Sequence, residues 1–247
     1  TGHFPHNPEP LEEHLTDIKA AVLAHKADLG IVVDPDVDRL AFISEDGSMF
    51  GEEYTLVACA DYVLSKTPGA TVSNLSSTRA LRDVTQKHGQ KYTASAVGEV
   101  NVVTAMKAEN AVIGGEGNGG IIYPESHYGR DALVGVALFL MLLAEKKTTA
   151  SALRATYPVY FMRKDKISLT EDINVDAILA AMATLYKEEE VNTTDGVKID
   201  FEHHWVHLRK SNTEPIIRIY TEATSLDLAT SVADAMMQQI LDLSKKV

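Results

Sequence analysis

The sequence predicts an α/β protein in three parts. A partial α/β piece with an acidic loop covers residues 1–49, a complete α/β domain with a mixed, mainly parallel sheet covers 50–157, and an α+β domain covers 158–247. Three observations carry this reading. Strand-like and helix-like stretches alternate from Glu52 to Lys146, strands gather between two helices after Pro158, and the first 49 residues offer one helix and two strands, too little for a domain.

Leu11, Leu15, Ile18 and Val22 recur at helical spacing, and Gly30 closes that stretch. Ile31-Val32-Val33 reads as a short buried strand ending at Asp34, and residues 40–43 as a second strand closed by Asp46-Gly47. The alternation then gives helices over 52–65, 79–88, 99–109 and 131–146, with strands over 70–75, 91–93, 111–113 and 121–123. Beyond Pro158 the pattern predicts strands over 160–169, 197–201, 205–208 and 216–221, with helices over 175–187 and 226–243. The chain begins at Thr1 without a methionine, and the expectation is that it starts inside a domain.

Composition narrows the function. The chain has 247 residues, 45% hydrophobic and 23% charged, which is ordinary for a globular protein and excludes a disordered or disulfide-stapled chain. A net charge of −12 argues against nucleic acid or an acidic membrane as partner, because both need surplus Lys and Arg. The longest apolar run, 132–144, is too short to span a bilayer. The lone cysteine, Cys59, has no internal partner and fits a reducing compartment, so a cytoplasmic location is expected.

The sharpest chemical signal is Asp34-Pro35-Asp36-Val37-Asp38-Arg39. Carboxylates at i, i+2 and i+4 in an extended turn converge on one point, and a small divalent cation such as Mg²⁺ takes such hard oxygen ligands. A capping turn without metal is the plainer reading. An EF-hand is excluded because Arg39 replaces the required glycine and strands flank the loop. Arg39 is the natural second hold on an anion sharing the site, or else a salt-bridge partner of the aspartates.

Residues 114–120, Gly-Gly-Glu-Gly-Asn-Gly-Gly, contain a G-x-G-x-x-G match, but Ile121-Ile122-Tyr123-Pro124 follows where a dinucleotide site needs a helix. Glu116 and Asn118 instead suit hydrogen bonding to neighbouring sugar hydroxyls, and His127 and Arg130 follow closely enough to face the same cleft. The plainer alternative is a flexible surface loop. Residues 209–215, Arg-Lys-Ser-Asn-Thr-Glu-Pro, offer the guanidinium, hydroxyls, amide and turn N–H groups that a phosphate dianion needs, in Arg209, Ser211, Asn212 and Thr213. Arg218 adds a further cation; a polar hairpin is the alternative. His203-His204 read as edge-strand histidines, since adjacent strand residues point to opposite faces.

These three motifs, in this order, resemble the α-D-phosphohexomutase superfamily, which includes phosphoglucomutase, phosphomannomutase and phosphoglucosamine mutase. The resemblance runs from Phe4-Pro5-His6-Asn7-Pro8 to the last helix. It implies an intramolecular phosphotransferase that interconverts hexose 6-phosphate and hexose 1-phosphate through a phosphoserine and a bisphosphorylated intermediate. It also implies that residues 1–49 are the end of the second of four domains, 50–157 the third and 158–247 the fourth. By the same resemblance Asp34, Asp36 and Asp38 hold Mg²⁺ with the catalytic Arg39 beside them, and Glu116 takes sugar hydroxyls. Arg209, Ser211, Asn212 and Thr213 grip the phosphate that is not transferred.

The family's serine loop, Thr-Ala-Ser-His-Asn-Pro, is absent, so the N-terminal domains are an expected partner and the chain alone is expected to be catalytically silent. Asn118 and Gly120 stand where the family commonly has Ser and His, and Ala96 where some members have lysine. The glycine loop and residues 127–131 look most like a phosphoglucosamine mutase subgroup, whereas Asn212 points toward phosphomannomutase/phosphoglucomutase; the reading leans to the former. A non-catalytic sugar-phosphate-binding protein and a calcium-binding module are the rivals.

Overall fold

One strand organises the N-terminal part of the molecule, and its sequence explains why. In a computed structural model describing residues 2–4, 6–168, 173–211 and 216–245, β2 (Leu40–Ser44) is buried along its whole length. Its side chains alternate between two apolar neighbours, as the pleat of a strand requires. Ala41 and Ile43 pack with Leu15 and Val22, on and beside α1 (Thr16–His25). Phe42 stacks on Phe139 of α5 (Ala132–Lys146), with ring centroids 4.0 Å apart, and Phe50 meets the same ring edge-on at 4.8 Å. The only strand paired with β2 among the described residues is β1 (Leu29–Val33), antiparallel and in register Ile31↔Phe42.

The chain divides into two compact units, Thr1–Pro158 and Val159–Val247. In the first, α2 (Glu52–Lys66), β3 (Thr71–Asn74), α3 (Ala80–Lys87), β4 (Tyr92–Ser95), α4 (Glu99–Glu109), β5 (Ile113–Glu116), β6 (Gly120–Ile122), α5 and the short α6 (Ala150–Arg154) follow in order. The sheet order is β4-β3-β5-β6. The first three strands are parallel and β6 returns antiparallel, giving the mixed, mainly parallel sheet that the alternation predicts. In an α/β sheet of this kind, ligand sites form beyond the carboxyl ends of the parallel strands. Here those ends are Asn74, Ser95 and Glu116.

The structure moves one boundary in a way that matters. The expected strand over 111–113 lies instead at Ile113–Glu116, and the glycine-rich segment forms the hairpin β5–β6. Gly114 and Gly115 are buried strand residues, lying so close to Met106, Val72 and Gly120 that a Cβ would collide. Glycine's low strand propensity hides such a strand from a pattern reading.

The second unit is an antiparallel sheet in the order β7-β11-β10-β9-β8, built from β7 (Phe161–Ser168), β8 (Glu190–Asn192), β9 (Val197–Asp200), β10 (His204–Lys210) and β11 (Ile216–Ala223). Val197, Ile199, Val206, Leu208, Ile217 and Ile219 share a core with α7 (Val175–Leu185) and α8 (Leu226–Ser244). His204 opens β10, a central strand rather than an edge, and its ring stacks on Phe201 at 4.3 Å. No described helix is long and apolar enough to cross a membrane.

Because Phe139 is fully buried against two aromatic rings, Phe139→Ala is expected to lower unfolding free energy by about 3–5 kcal/mol, read from urea denaturation.

Candidate functional site

The acidic loop joins β1 to β2 and is closed by its own first residue. Asp34 Oδ1 accepts from the backbone N–H groups of Asp38, at 3.1 Å, and Arg39, at 3.0 Å. Val37 has φ +60°, a left-handed conformation unfavourable for a β-branched residue, and its carbonyl accepts from Ala132 N at the start of α5. The turn brings Asp34, Asp36 and Asp38 together, with one oxygen from each lying within 4.8 Å of the others. Asp34 is buried, Asp38 half-buried and Asp36 exposed.

The donor set fits a hard divalent cation, and one atom makes the case. Asp38 Oδ1 is buried, and no described hydrogen-bond donor reaches it. A buried, unsatisfied carboxylate oxygen is costly unless a cation meets it. The Asp38 carboxyl is pushed up to about 6. Burial is the largest cause; Arg130 pulls it back, and Asp34 and Asp36 add repulsion. Arg39 lies beside the loop, its Nε 3.7 Å from Asp34 Oδ2 and 3.9 Å from Asp38 Oδ1, while its Nη1 donates to Glu9.

Glu116, the last residue of β5, is buried and held from several sides. Asn74 Nδ2 donates to its Oε1 at 2.8 Å and Gly98 N at 3.1 Å, while Arg130 Nη1 donates to Oε2 at 3.0 Å. Arg130 also donates to Asp38 and, through Nε at 3.2 Å, to Glu99 Oε2. The acidic loop and the Glu116 carboxylate, 78 residues apart in sequence (116 − 38), therefore share one guanidinium within one unit. Gly120 makes room for it, since a Cβ there would strike Arg130 Cδ. Gly119, with φ +84°, lies against the Leu40 backbone and its carbonyl accepts from Leu40 N, tying the hairpin turn to β2.

The other sequence candidates fall as follows. Asn118 Oδ1 accepts from Gly120 N at 3.2 Å, closing the turn beside Glu116. His127 Nε2 is hydrogen-bonded at 3.0 Å to Asp131, whose other oxygen caps α5 through Leu133 N and Val134 N. In the second unit, Arg209 Nε lies 2.8 Å from Asp195 Oδ2, and Arg218 faces Arg209 directly across β10–β11. Ser211 is buried and its N–H donates to Ile216 O. Asn212 and Thr213 lie outside the described residues.

Sequence reasoning missed several supporting groups. Asn74 and Glu99, at the carboxyl end of β3 and the first turn of α4, touch Glu116 and Arg130. Their only signal was position at strand ends of a parallel sheet. Glu9, 30 residues before its partner, holds Arg39 without any local pattern. His207 Nε2 donates to the Asp195 carbonyl at 2.7 Å, and burial brings its pKa down to about 4, so the ring is neutral near pH 7 and steadies the turn that orients Arg209.

Comparison with known proteins covers nearly the whole chain. Family models match residues 1–47 (phosphoglucomutase/phosphomannomutase, alpha/beta/alpha domain II), 51–160 (alpha/beta/alpha domain III) and 163–239 (C-terminal domain). A phosphoglucomutase/phosphomannomutase of Thermococcus kodakarensis is 38% identical over 232 residues, covering 92% of this chain and 50% of the relative. A probable phosphoglucosamine mutase of Methanopyrus kandleri is 33% identical, covering 94% and 52%. The crystal structure of a phosphoglucomutase/phosphomannomutase family protein from Burkholderia thailandensis superposes with a TM-score of 0.84 at 26% identity, covering 99% of this chain and 53% of that one. The fold is thus that of the phosphohexomutases. The chain belongs to the phosphoglucomutase/phosphomannomutase family of the α-D-phosphohexomutase superfamily, and it spans about half the length of the curated relatives it matches.

The raised Asp38 pKa fixes a pH dependence. A carboxyl whose folded pKa lies above its unfolded value stabilises below the unfolded value, and that contribution is lost as pH rises through about 6. Compared side by side in thermal melts without metal, Asp38→Asn is expected to gain on wild type as pH rises from about 5 to about 7.5, because only wild type loses this contribution.

Proposed function

We propose that this chain supplies the metal, sugar and phosphate sites of a phosphohexomutase, which interconverts hexose 6-phosphate and hexose 1-phosphate through a phosphoserine and a bisphosphorylated intermediate. The observation that carries this reading is the junction of Asp38 and Glu116 on Arg130, which joins the acidic loop to a buried carboxylate at the end of β5. Residues 1–49, 50–157 and 158–247 are then the end of the second domain, the third domain and the fourth, a division supported by the ranges of the three family matches. The substrate class is a hexose phosphate. Glucosamine phosphate is preferred on the glycine-loop pattern and on relatives named phosphoglucosamine mutase; mannose or glucose phosphate is the alternative, named in the Thermococcus relative.

Phosphoryl transfer is mostly positioning and neutralisation of charge, so the division of labour follows from the side chains. Asp34, Asp36 and Asp38 would hold Mg²⁺, which would supply Lewis-acid neutralisation of charge on the phosphoryl group. Arg39, steadied by Glu9, offers its guanidinium beside that group. Glu116 accepts hydrogen bonds from adjacent sugar hydroxyls, with Asn118 at the turn beside it. His127 supports this hairpin side through the Asp131 cap, and Arg130 holds Glu116. Arg209 and Ser211, with Asn212, Thr213 and Arg218, take the phosphate that stays on the sugar. The phosphoserine loop is not among these 247 residues, so binding without turnover is the behaviour proposed for the chain alone, with the serine-bearing domains as its partner. The compartment proposed is the cytoplasm, on the single buried cysteine.

Calorimetry tests this directly. Asp36→Asn is expected to abolish Mg²⁺ binding, and Arg209→Ala to weaken glucosamine 6-phosphate binding by about 1.5–3 kcal/mol, the range for hydrogen bonds to charged groups. Unchanged sugar-phosphate affinity in Arg209→Ala removes the phosphate-loop assignment. Turnover by wild-type chain alone removes the need for a separate serine.

A further inference from the structure

Every described hydrogen bond made by the Arg130 guanidinium runs to a carboxylate. Nη2 donates to Asp38, Nη1 to Glu116 Oε2 at 3.0 Å and Nε to Glu99 Oε2 at 3.2 Å. The backbone N–H of the same residue donates to Glu99 Oε1 at 3.2 Å. The side chain is 15% exposed, so its charge is set by fixed partners more than by water. Asp38 gives Oδ2 to this guanidinium and keeps Oδ1 buried without a donor. A cation at the acidic loop and Arg130 therefore address the same carboxylate from its two oxygens.

We propose that Arg130 is a positioning residue that stands in for the divalent cation at Asp38. It neutralises Asp38 and Glu116 together while the loop holds no metal and yields Asp38 as the cation enters, so that metal loading and the setting of Glu116 are coupled. The inference rests on reading Asp34, Asp36 and Asp38 as metal ligands. Two positive charges on one carboxylate oppose each other, so the guanidinium competes with the metal. Glu99 makes the exchange possible, because it holds Nε and the backbone of Arg130 after Asp38 is given up. The planar fork is essential: a lysine ammonium carries the charge but not the three-way geometry. Coupling between two sites acts equally in both directions, so whatever sets Glu116 also sets metal affinity.

The test is titration with MgCl₂ alone, by calorimetry and by thermal melts, on the wild-type chain, Arg130→Met, Arg130→Lys and Asp36→Asn. Arg130→Met is expected to bind Mg²⁺ about threefold tighter or more, a modest value for coupled sites, because the competitor is gone. Both Arg130 variants are expected to melt below wild type without Mg²⁺ and to gain more from saturating Mg²⁺ than wild type does. A residue that only braces the loop would give the opposite sign, looser Mg²⁺ in Arg130→Met. If Arg130→Met does not fold, Arg130→Lys decides: a Mg²⁺-induced gain equal to or below that of wild type overturns the proposal. Equal or weaker Mg²⁺ affinity in a folded Arg130→Met overturns it as well. Folded wild type that binds no Mg²⁺ sinks the metal-ligand reading itself. Binding abolished by Asp36→Asn but indifferent to Arg130 sinks the stand-in role alone.

Discussion

Like charges do not gather in a half-buried cleft unless something of opposite sign holds them there. Asp34, Asp38, Glu99 and Glu116 converge from three separate parts of the chain, and two guanidinium groups tie them together. Arg130 is the more consequential of the two, since it alone joins the loop after β1 to the end of β5. The surrounding structure is shaped to admit it. Gly120 leaves space for its methylenes, Asn74 and Gly98 fix the far side of Glu116, and the Ala132 N–H just beyond it meets the carbonyl of the strained Val37.

The apolar frame answers the same requirement from below. Leu40 and Phe42 give β2 an apolar side toward α5, while Ala41 and Ile43 give it another toward α1. A strand buried on both faces has no freedom to slip, since a one-residue shift would exchange its two partner surfaces. The acidic turn is thereby anchored at its C-terminal end, and the backbone bond from Leu40 to Gly119 carries that anchoring to the hairpin bearing Glu116.

Much of this was legible in the sequence where the signal is periodic or punctuated. The helix at Glu99–Glu109 carries its glycine before the first turn and Asn110 after the last, and its bounds agree with the pattern. Asp34, Asp36 and Asp38 announce themselves by spacing alone. What could not be read depends on long-range pairing. Nothing local marks Glu9 as the partner of Arg39, Glu99 as the partner of Arg130 or Asp195 as the partner of Arg209. The glycine strand was hidden for a different reason: Gly114 and Gly115 are there because neighbouring atoms leave no room for a side chain, and absence of volume has no hydropathy.

The bond between Leu40 and Gly119 has one more consequence. Because the turn holding the aspartates and the hairpin holding Glu116 are pinned to a common strand, the span between them is fixed before any ligand arrives. For the ligand proposed above, that span is a ruler: a molecule is measured by whether its charged end and its hydroxyl end lie that far apart. On that proposal, specificity at these two loops is a matter of length and orientation, decided by backbone that was in place beforehand.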